Sequence, residues 1–379
     1  MKTLRNIILI VLANCILRVF NLFCKKTVQK TLLFVKLDAI GDYVIARNFI
    51  EFIRNQERFK GHKVVLVGNS LWKDISRLAD EDFVNEFIFI NPSEYNDNIL
   101  KQVKLLVRLN KQNIATIISL HHFRNPLSEI ISTSLPTKKR FAITGILEAS
   151  SKKLNRFCNN LYTQYKPSLP NHEFNIFKGF ANFITHESPS FNLPKLEIHD
   201  GNLDKSLNNY IVICHGAGVS DRIWTDSRML DFMSFLYFKY DFKMVFVGTS
   251  DNSEFPAMFK SKFNDDIRII DKTGKATLLE TAYIIQNSIS VVCYDSGIYH
   301  LSVALNKKII CIAGGGHFDR FVNYTHLNGV TLLLDETMDC FNCDWNCTKG
   351  HKHGNSYPCI ESISLEDKKV QIDDFFSKL

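Results

Sequence analysis

The stretch TLLFVKLDAIGDYVIARNF, Thr31 to Phe49, decides how the rest of the chain is read. TLLFVKL (31–37) is a short apolar run of strand character. From Tyr43 the apolar residues of YVIARNFIEFIRN (43–55) recur at helical spacing. Between the two lie Asp38 and Asp42, with Gly41 at the hinge. A strand that turns through a short loop into a helix opens a βαβ unit. That loop sits at the carboxyl end of the strand, where open α/β sheets bind their ligands. Such loops more often cradle a phosphate, so two acids there call for another account. Asp42 has two readings that spacing leaves open. As an N-cap it would accept backbone N–H bonds and favour the helix dipole. As a carboxylate facing a ligand it would serve as general base on a hydroxyl. Asp38 has no assigned role beyond orienting or capping the loop.

The same alternation continues outward. KVVLVG (63–68), EFIFIN (86–91) and IATIISL (114–120) read as strands, with helices near 71–79 and 96–111, and 147–185 reads as mostly helical. Short apolar strands separated by helices mean a parallel sheet covered on both faces. HESPSFNLPKLEIHDGNLDKS (186–206) carries two prolines and no sustained period, and reads as a linker. A second series follows: YIVICHG (210–216), KMVFVG (243–248), IRIID (267–271), ISVVCYDSG (289–297) and KIICIAGGG (308–316). The expected organisation is an N-terminal helix (1–30), a first Rossmann-like domain (31–186), a linker (187–206) and a second domain (207–379) ending in a cysteine-rich tail. Two facing doubly wound domains would leave a cleft between them.

Bulk numbers narrow the partners. The chain has 379 residues, 45% of them hydrophobic, enough for two cores. A net charge of +7 spread over that length fits an anionic substrate or membrane surface as well as nucleic acid. Of the ten cysteines, Cys15, Cys24, Cys158, Cys214, Cys293 and Cys311 are scattered among apolar residues and read as small packed hydrophobes in a reducing compartment. In MKTLRNIILIVLANCILRVFNLFCKK (1–26), Asn14, Arg18, Asn21 and Lys25 fall on one narrow stripe of an otherwise apolar helix. Arg18 in mid-run disfavours a spanning segment. The pattern suits a helix in the membrane interface with a basic end at Lys25 and Lys26; a packed helix and a cleaved signal are the alternatives.

The carboxyl ends of the second series gather polar residues. In CHGAGVSDRIW (214–224), Gly216 and Gly218 permit close backbone approach, and Arg222 supplies a cation suited to phosphate. In CYDSGIYHLSVALN (293–306), Asp295, Ser296 and Gly297 open a helix whose free N–H groups suit a diphosphate. His300 lies one turn in, and is either structural or ligand-facing. Gly314, Gly315 and Gly316 mark a backbone-to-ligand contact or a flexible turn. No strand is followed by Gly-x-Gly-x-x-Gly, which disfavours a nicotinamide dehydrogenase. Late in the chain, CFNCDWNCTKGHKHGNSYPC (340–359) sets Cys340, Cys343, Cys347 and Cys359 in a C-x2-C-x3-C-x11-C pattern, with His351 and His353 between. That suits a tetrahedral structural zinc. Reduced packed thiols, a disulfide pair and an iron–sulfur or redox site are the other readings.

Taken in order, KLDAIGDYV, HGAGVSDRIW, GKATLLETAYII (274–285), VVCYDSGIYHLSVALN and IAGGGHFDRF resemble glycosyltransferase family 9, the ADP-heptose:lipopolysaccharide heptosyltransferase-like family. The resemblance implies a GT-B fold, with acceptor mainly on the first domain and sugar nucleotide on the second. It implies inverting transfer without an obligatory metal. By motif, Asp42 matches the family's general base and Arg222 a basic residue near the donor phosphates. Asp295, Ser296 and Gly297 match the turn that holds the donor, and His300 its helix histidine. The family's acid after the Gly-rich strand falls on Asp251 or Glu254, with Glu254 preferred. The implied enzyme is a cytoplasmic glycosyltransferase, peripheral at the inner membrane, which moves heptose or a related sugar to a lipid-linked surface glycan and binds no nucleic acid. A GT-B sugar-nucleotide epimerase and a non-catalytic, metal-stabilised scaffold are the alternatives. The N-terminal helix and the cysteine tail depart from the best-known heptosyltransferases.

Overall fold

In the computed structural model, residues 2–23, 27–145, 152–168, 171–198, 207–324 and 330–378 are described. The chain divides into two compact units. One comprises Met1–Leu169 with Asn175–Ser190, the other Pro170–Phe174 with Phe191–Leu379. The boundary therefore differs from a single linker at 187–206: residues 170–174 already belong to the second unit. Residues 199–206 of the expected linker lie outside the described residues.

The first unit holds β1 (Lys30–Lys36), β2 (Lys63–Asn69), β3 (Glu86–Ile90), β4 (Asn113–Ser119), β5 (Lys139–Ile143) and β6 (Thr163–Tyr165). They form one parallel sheet in the order β3-β2-β1-β4-β5-β6. Leu32, Leu33, Phe34 and Val35 of β1 are fully buried, as expected for a strand covered on both faces. The second unit holds β7 (Tyr210–Ile213), β8 (Lys243–Phe246), β9 (Ile269–Asp271), β10 (Ser290–Tyr294), β11 (Lys308–Ile312) and β12 (Thr331–Leu334). Their order is β12-β11-β10-β7-β8-β9, again parallel. Each sheet thus winds outward in both directions from the pair formed by its first and fourth strands, and ligands of such sheets bind beyond the carboxyl ends of that pair.

Three strands were not legible in the sequence. β5 carries Lys139 and Arg140, β6 is the short polar edge TQY, and β12 is the four-residue TLLL, and none shows a period that separates it from its surroundings. The segment expected to be mostly helical over 147–185 instead holds the helices Lys152–Asn159 and Glu173–Thr185 with β6 between them.

The N-terminal helix spans Lys2–Phe23 and packs on the helices Ile99–Asn110, Pro126–Ser134 and Lys152–Asn159. Of the polar stripe, Asn14 and Asn21 bond inward. Asn6 is buried with Ile10, Ala13 and Leu17. Asn14 donates to the Ser134 carbonyl at 3.2 Å, and Asn21 accepts from Asn110 at 2.8 Å. Arg18 stays exposed and donates to Asn14 at 2.7 Å. Lys25 and Lys26, the expected basic end, lie outside the described residues.

The loop after β1 is braced by its neighbours. Trp72 donates from Nε1 to the Asp38 carbonyl at 3.1 Å, and its ring occupies the space a side chain at Gly68 would need. Tyr43, in the helix Ile40–Arg54, stacks on Trp72 with centroids 4.3 Å apart. Its hydroxyl donates to Asp80 at 2.6 Å, beside bonds to Asp80 from Arg47 Nε (2.7 Å) and Ser76 Oγ (3.1 Å). Burial raises the Asp80 pKa to about 6, against the pull of Arg47. Asp80→Ala would leave Arg47 and the Tyr43 hydroxyl buried without their acceptor, at a cost of about 3–5 kcal/mol. Urea unfolding checks this, and a loss below about 1 kcal/mol would show that Asp80 is not the hub.

Candidate active site

In the first unit the candidate residues gather where β1 and β4 end. Lys36 is buried, and its ammonium donates to Asp38 Oδ2 and to the Leu120 carbonyl, both at 2.8 Å. Asp38, unassigned from sequence, is therefore the counter-ion of a buried lysine. His121 accepts the Leu37 N–H on Nε2 at 2.8 Å, which places its proton on Nδ1, toward Ser119 Oγ at 3.2 Å. Burial pulls the His121 pKa down to about 4, so this imidazole is neutral at neutral pH. The helix Ile40–Arg54 begins at Ala39, whose extended φ of −72° and ψ of −178° mark it as the cap residue. Asp42 is thus not the N-cap. It stands in the first turn, half-buried.

In the second unit the candidates gather where β7 and β10 end. Ser296 is the cap residue of the helix Gly297–Ala304, yet its side chain makes no capping bond. Its Oγ is buried with no hydrogen-bond partner. Asp295 is 12% exposed, and burial raises its pKa to about 6 although Arg222 opposes the rise. Arg222 stacks its guanidinium on Trp345, 4.3 Å from the ring centroid, and its buried Nε has no partner. An anion-ready helix start, an unused hydroxyl and an under-used guanidinium share one electrostatic neighbourhood. Gly218 has open space where a side chain would be. Gly216 is close-packed instead, with Asn252 Oδ1 only 2.6 Å from where a Cβ would sit.

His300 joins this turn, with Nε2 3.9 Å from Asp295 Oδ1 and Nδ1 3.0 Å from the Tyr324 hydroxyl. Burial, with His172 nearby, drops its pKa to about 3, so His300 acts through hydrogen bonds and not through charge. Sequence reasoning missed His172, whose ring lies 4.2 Å from that of Tyr324. It also missed Glu173, which accepts two bonds from Arg320 at 3.1 Å. Both precede the second series by some forty residues and carry no motif. Glu254 opens the helix Glu254–Lys262 in an exposed position, and no described bond ties it to the Asp295 turn.

The cysteine tail builds the wall of this site. The three glycines at 314–316 have no positive φ, so conformation does not demand them. A side chain at Gly314 would collide with Ile360, at Gly315 with Phe341, and at Gly316 with Trp345. They mark close packing of the tail, in place of the expected ligand contact or flexible turn. Asn342 N–H donates to the Gly315 carbonyl (2.7 Å), Asp344 N–H to Gly316 (2.9 Å) and Trp345 Nε1 to His317 Nδ1 (3.2 Å). Trp345 holds a left-handed φ of 60°, strained for a bulky residue and retained by these bonds. Asp221, beside Arg222, bonds to His353 Nδ1 at 2.9 Å and lies 3.2 Å from His351 Nε2.

These commitments alter the metal expectation. Among the described residues no three His, Cys, Asp or Glu side chains are placed to hold a metal ion. The zinc expected at Cys340, Cys343, Cys347 and Cys359 is therefore not shown, although the four thiols lie within electrostatic reach of one another: Cys343 feels Cys340 and Cys347, and Cys359 feels Cys343 and Cys340. Cys359 Sγ accepts the Gly315 N–H at 3.3 Å, and the two histidines face Asp221. The nine described cysteines are free thiols. Of those expected to pack as hydrophobes, Cys158, Cys214, Cys293 and Cys311 are buried, but Cys15 is exposed. Cys24 lies outside the described residues.

The model of glycosyltransferase family 9 (heptosyltransferase) matches residues 147–349, more than half of the chain. The chain belongs to this family. It is a glycosyltransferase, and its two doubly wound units are those of the GT-B fold. The glycosyl transferase family 9 protein of Veillonella parvula superposes with a TM-score of 0.69 at 16% identity, over 94% of this chain and 100% of that one. ADP-heptose LPS heptosyltransferase II of E. coli gives 0.69 at 14%, over 92% and 99%. E. coli heptosyltransferase WaaC with ADP-2-deoxy-2-fluoro heptose gives 0.60 at 13%, over 83% and 97%. No curated protein matches the chain.

Two predictions follow from the second-unit geometry. The folded Asp295 pKa of about 6 stands above its ordinary 3.8. The folded state therefore binds more protons between those values, and stability falls as pH rises through that window. Asp295→Asn should remove this loss and raise stability at pH 7 by about 1–3 kcal/mol. Urea melts of both proteins across the window test it, and parallel curves would contradict the assignment. Gly316→Ala should cost about 1–3 kcal/mol by driving into the Trp345 indole, visible as a lowered melting temperature.

Proposed function

We propose that the chain transfers heptose or a related sugar from a nucleoside-diphosphate donor, ADP-heptose first, to a saccharide carried on a lipid, with inversion at the anomeric carbon. The observation that carries the donor half is the start of the helix Gly297–Ala304, where Ser296 Oγ is buried and unpartnered beside the Arg222–Trp345 stack. Groups left unsatisfied in a folded protein point to a ligand, and these suit a diphosphate. The WaaC structure cited above contains an ADP-heptose analogue, which supports the same donor class.

In this reading the acceptor hydroxyl attacks the anomeric carbon from the face opposite the diphosphate. Asp42 takes the hydroxyl proton, the new glycosidic bond forms, and the sugar–phosphate bond breaks with its electron pair on the leaving oxygen. The first N–H groups of the helix and Arg222 stabilise the charge that develops there.

A donor screen tests this. ADP-heptose and GDP- and UDP-sugars are assayed for binding and for acceptor-dependent diphosphate release. Asp42→Ala should retain donor affinity and lose about 10²–10⁴-fold in kcat. Arg222→Ala should weaken donor binding and lower kcat about 10²–10³-fold. Failure of every sugar nucleotide to bind would remove the reading, and unchanged turnover in Asp42→Ala would remove the base.

A further inference from the structure

The N-terminal helix Lys2–Phe23 is apolar on its exposed face as well as on the face that buries Ile10, Ala13 and Leu17. Its polar Asn6, Asn14 and Asn21 face the protein, as described above. Its exposed face is apolar: Leu4, Ile8, Leu12, Ile16, Val19 and Leu22 are between 48% and 79% exposed. Phe23 is 83% exposed. The helix is long and apolar enough to cross a membrane, with mean hydropathy 2.0 over its most apolar window and only 17% of that window buried. Crossing would strip Asn14 and Asn21 of their bonds to Ser134 and Asn110. Lying in the plane of an interface keeps those bonds and covers the outer face along about 33 Å. The adjoining helix Ile99–Asn110 leaves Leu100 and Val103 exposed as well.

Charge indicates what covers this face. The helix contains no aspartate or glutamate. A pocket of about 180 Å³ beside it is lined by Val11, Asn14, Cys15, Arg18, Arg140 and Phe157, among others. Arg140 is 7% exposed, with Nε donating to the Ser132 carbonyl at 3.1 Å and a second bond to Leu135. Burial, with Arg18 close by, lowers its pKa even though Tyr162 opposes the shift. Two guanidiniums thus share one pocket whose lining holds no acid. A second copy of this face would offer apolar area but no counter-charge. An anionic lipid supplies both acyl chains and phosphate.

We propose that the outer face of Lys2–Phe23 seats the enzyme in the interface of an anionic bilayer, with a lipid phosphate held between Arg18 and Arg140. This goes beyond the transfer reaction and does not depend on which sugar is moved.

The test is co-sedimentation of the full chain with vesicles of zwitterionic phospholipid alone or mixed with an anionic one. Wild type should bind the mixed vesicles and release at high salt. Leu12→Glu with Ile16→Glu, at exposed positions outside the packed face, should lower binding at least about tenfold. Arg18→Glu should remove the preference for anionic lipid. An environment-sensitive fluorophore on exposed Cys15 should shift to the blue on vesicle addition, and Cys15→Ser should lose that signal; melting curves confirm folding. Three results would overturn the proposal: wild type remaining in the supernatant with both vesicle types, vesicle binding unchanged in the double variant, or a lipid-free dimer that the double variant dissociates.

Discussion

A charge beside a buried parallel sheet must find its partner among the loops and helices packed around that sheet, because desolvation costs more than any single contact returns. Both units obey this. Lys36 is held by Asp38, Arg47 by Asp80, Arg124 by Glu129 and Arg320 by Glu173. The turn at Asp295 meets the requirement less completely. Asp295 has Arg222 in electrostatic reach, yet Arg222 Nε and Ser296 Oγ are buried without partners. Other buried polar atoms also lack a partner, Arg320 Nη1 and Arg54 Nε among them, but at this turn an unpartnered hydroxyl and an unpartnered guanidinium nitrogen stand beside the start of a helix.

The cysteine tail contributes by packing. Phe341, Trp345 and Ile360 fill the space that Gly314, Gly315 and Gly316 leave open. The same tail meets the 220–224 segment through Ser356 to the Ile223 carbonyl, Tyr357 N–H to the Asp221 carbonyl, and Trp224 Nε1 to the Ile360 carbonyl. Arg222 is therefore positioned from behind by a residue more than a hundred positions later. Under the proposed reaction this matters, because a cation stabilises a leaving group only if it is held in place beforehand.

The two units place their candidate groups by one device. In each sheet the strand order reverses between the first and fourth strands, and the loops following those strands carry the polar residues. The first unit brings Asp38 and His121 together in this way, with Asp42 one turn into the following helix. The second brings together Arg222, Asp295 and His300. The N-terminal helix stands outside this scheme. Its asparagines Asn14 and Asn21 bond inward, and its outer face is apolar.

Much of this was legible in the chain itself. Continuous apolar runs such as LLFV and VVLV have no stable setting except a sheet covered on both faces, so the parallel α/β architecture follows from sequence alone. The ordered motifs around Arg222 and Asp295 fall within the stretch that the family model matches, because ligand loops at strand ends are local in sequence. Tertiary structure alone decided the rest. Asp38 became a counter-ion because β4 delivers Leu120 and His121 beside Lys36. The glycines at 314–316 became packing sites because Trp345 and Phe341 return from the tail. The asparagines of the first helix turned inward because Ser134 and Asn110 offer them partners. Each outcome depends on contacts between residues distant in sequence, and a side chain's role there is set by what is buried against it, which no local spacing encodes.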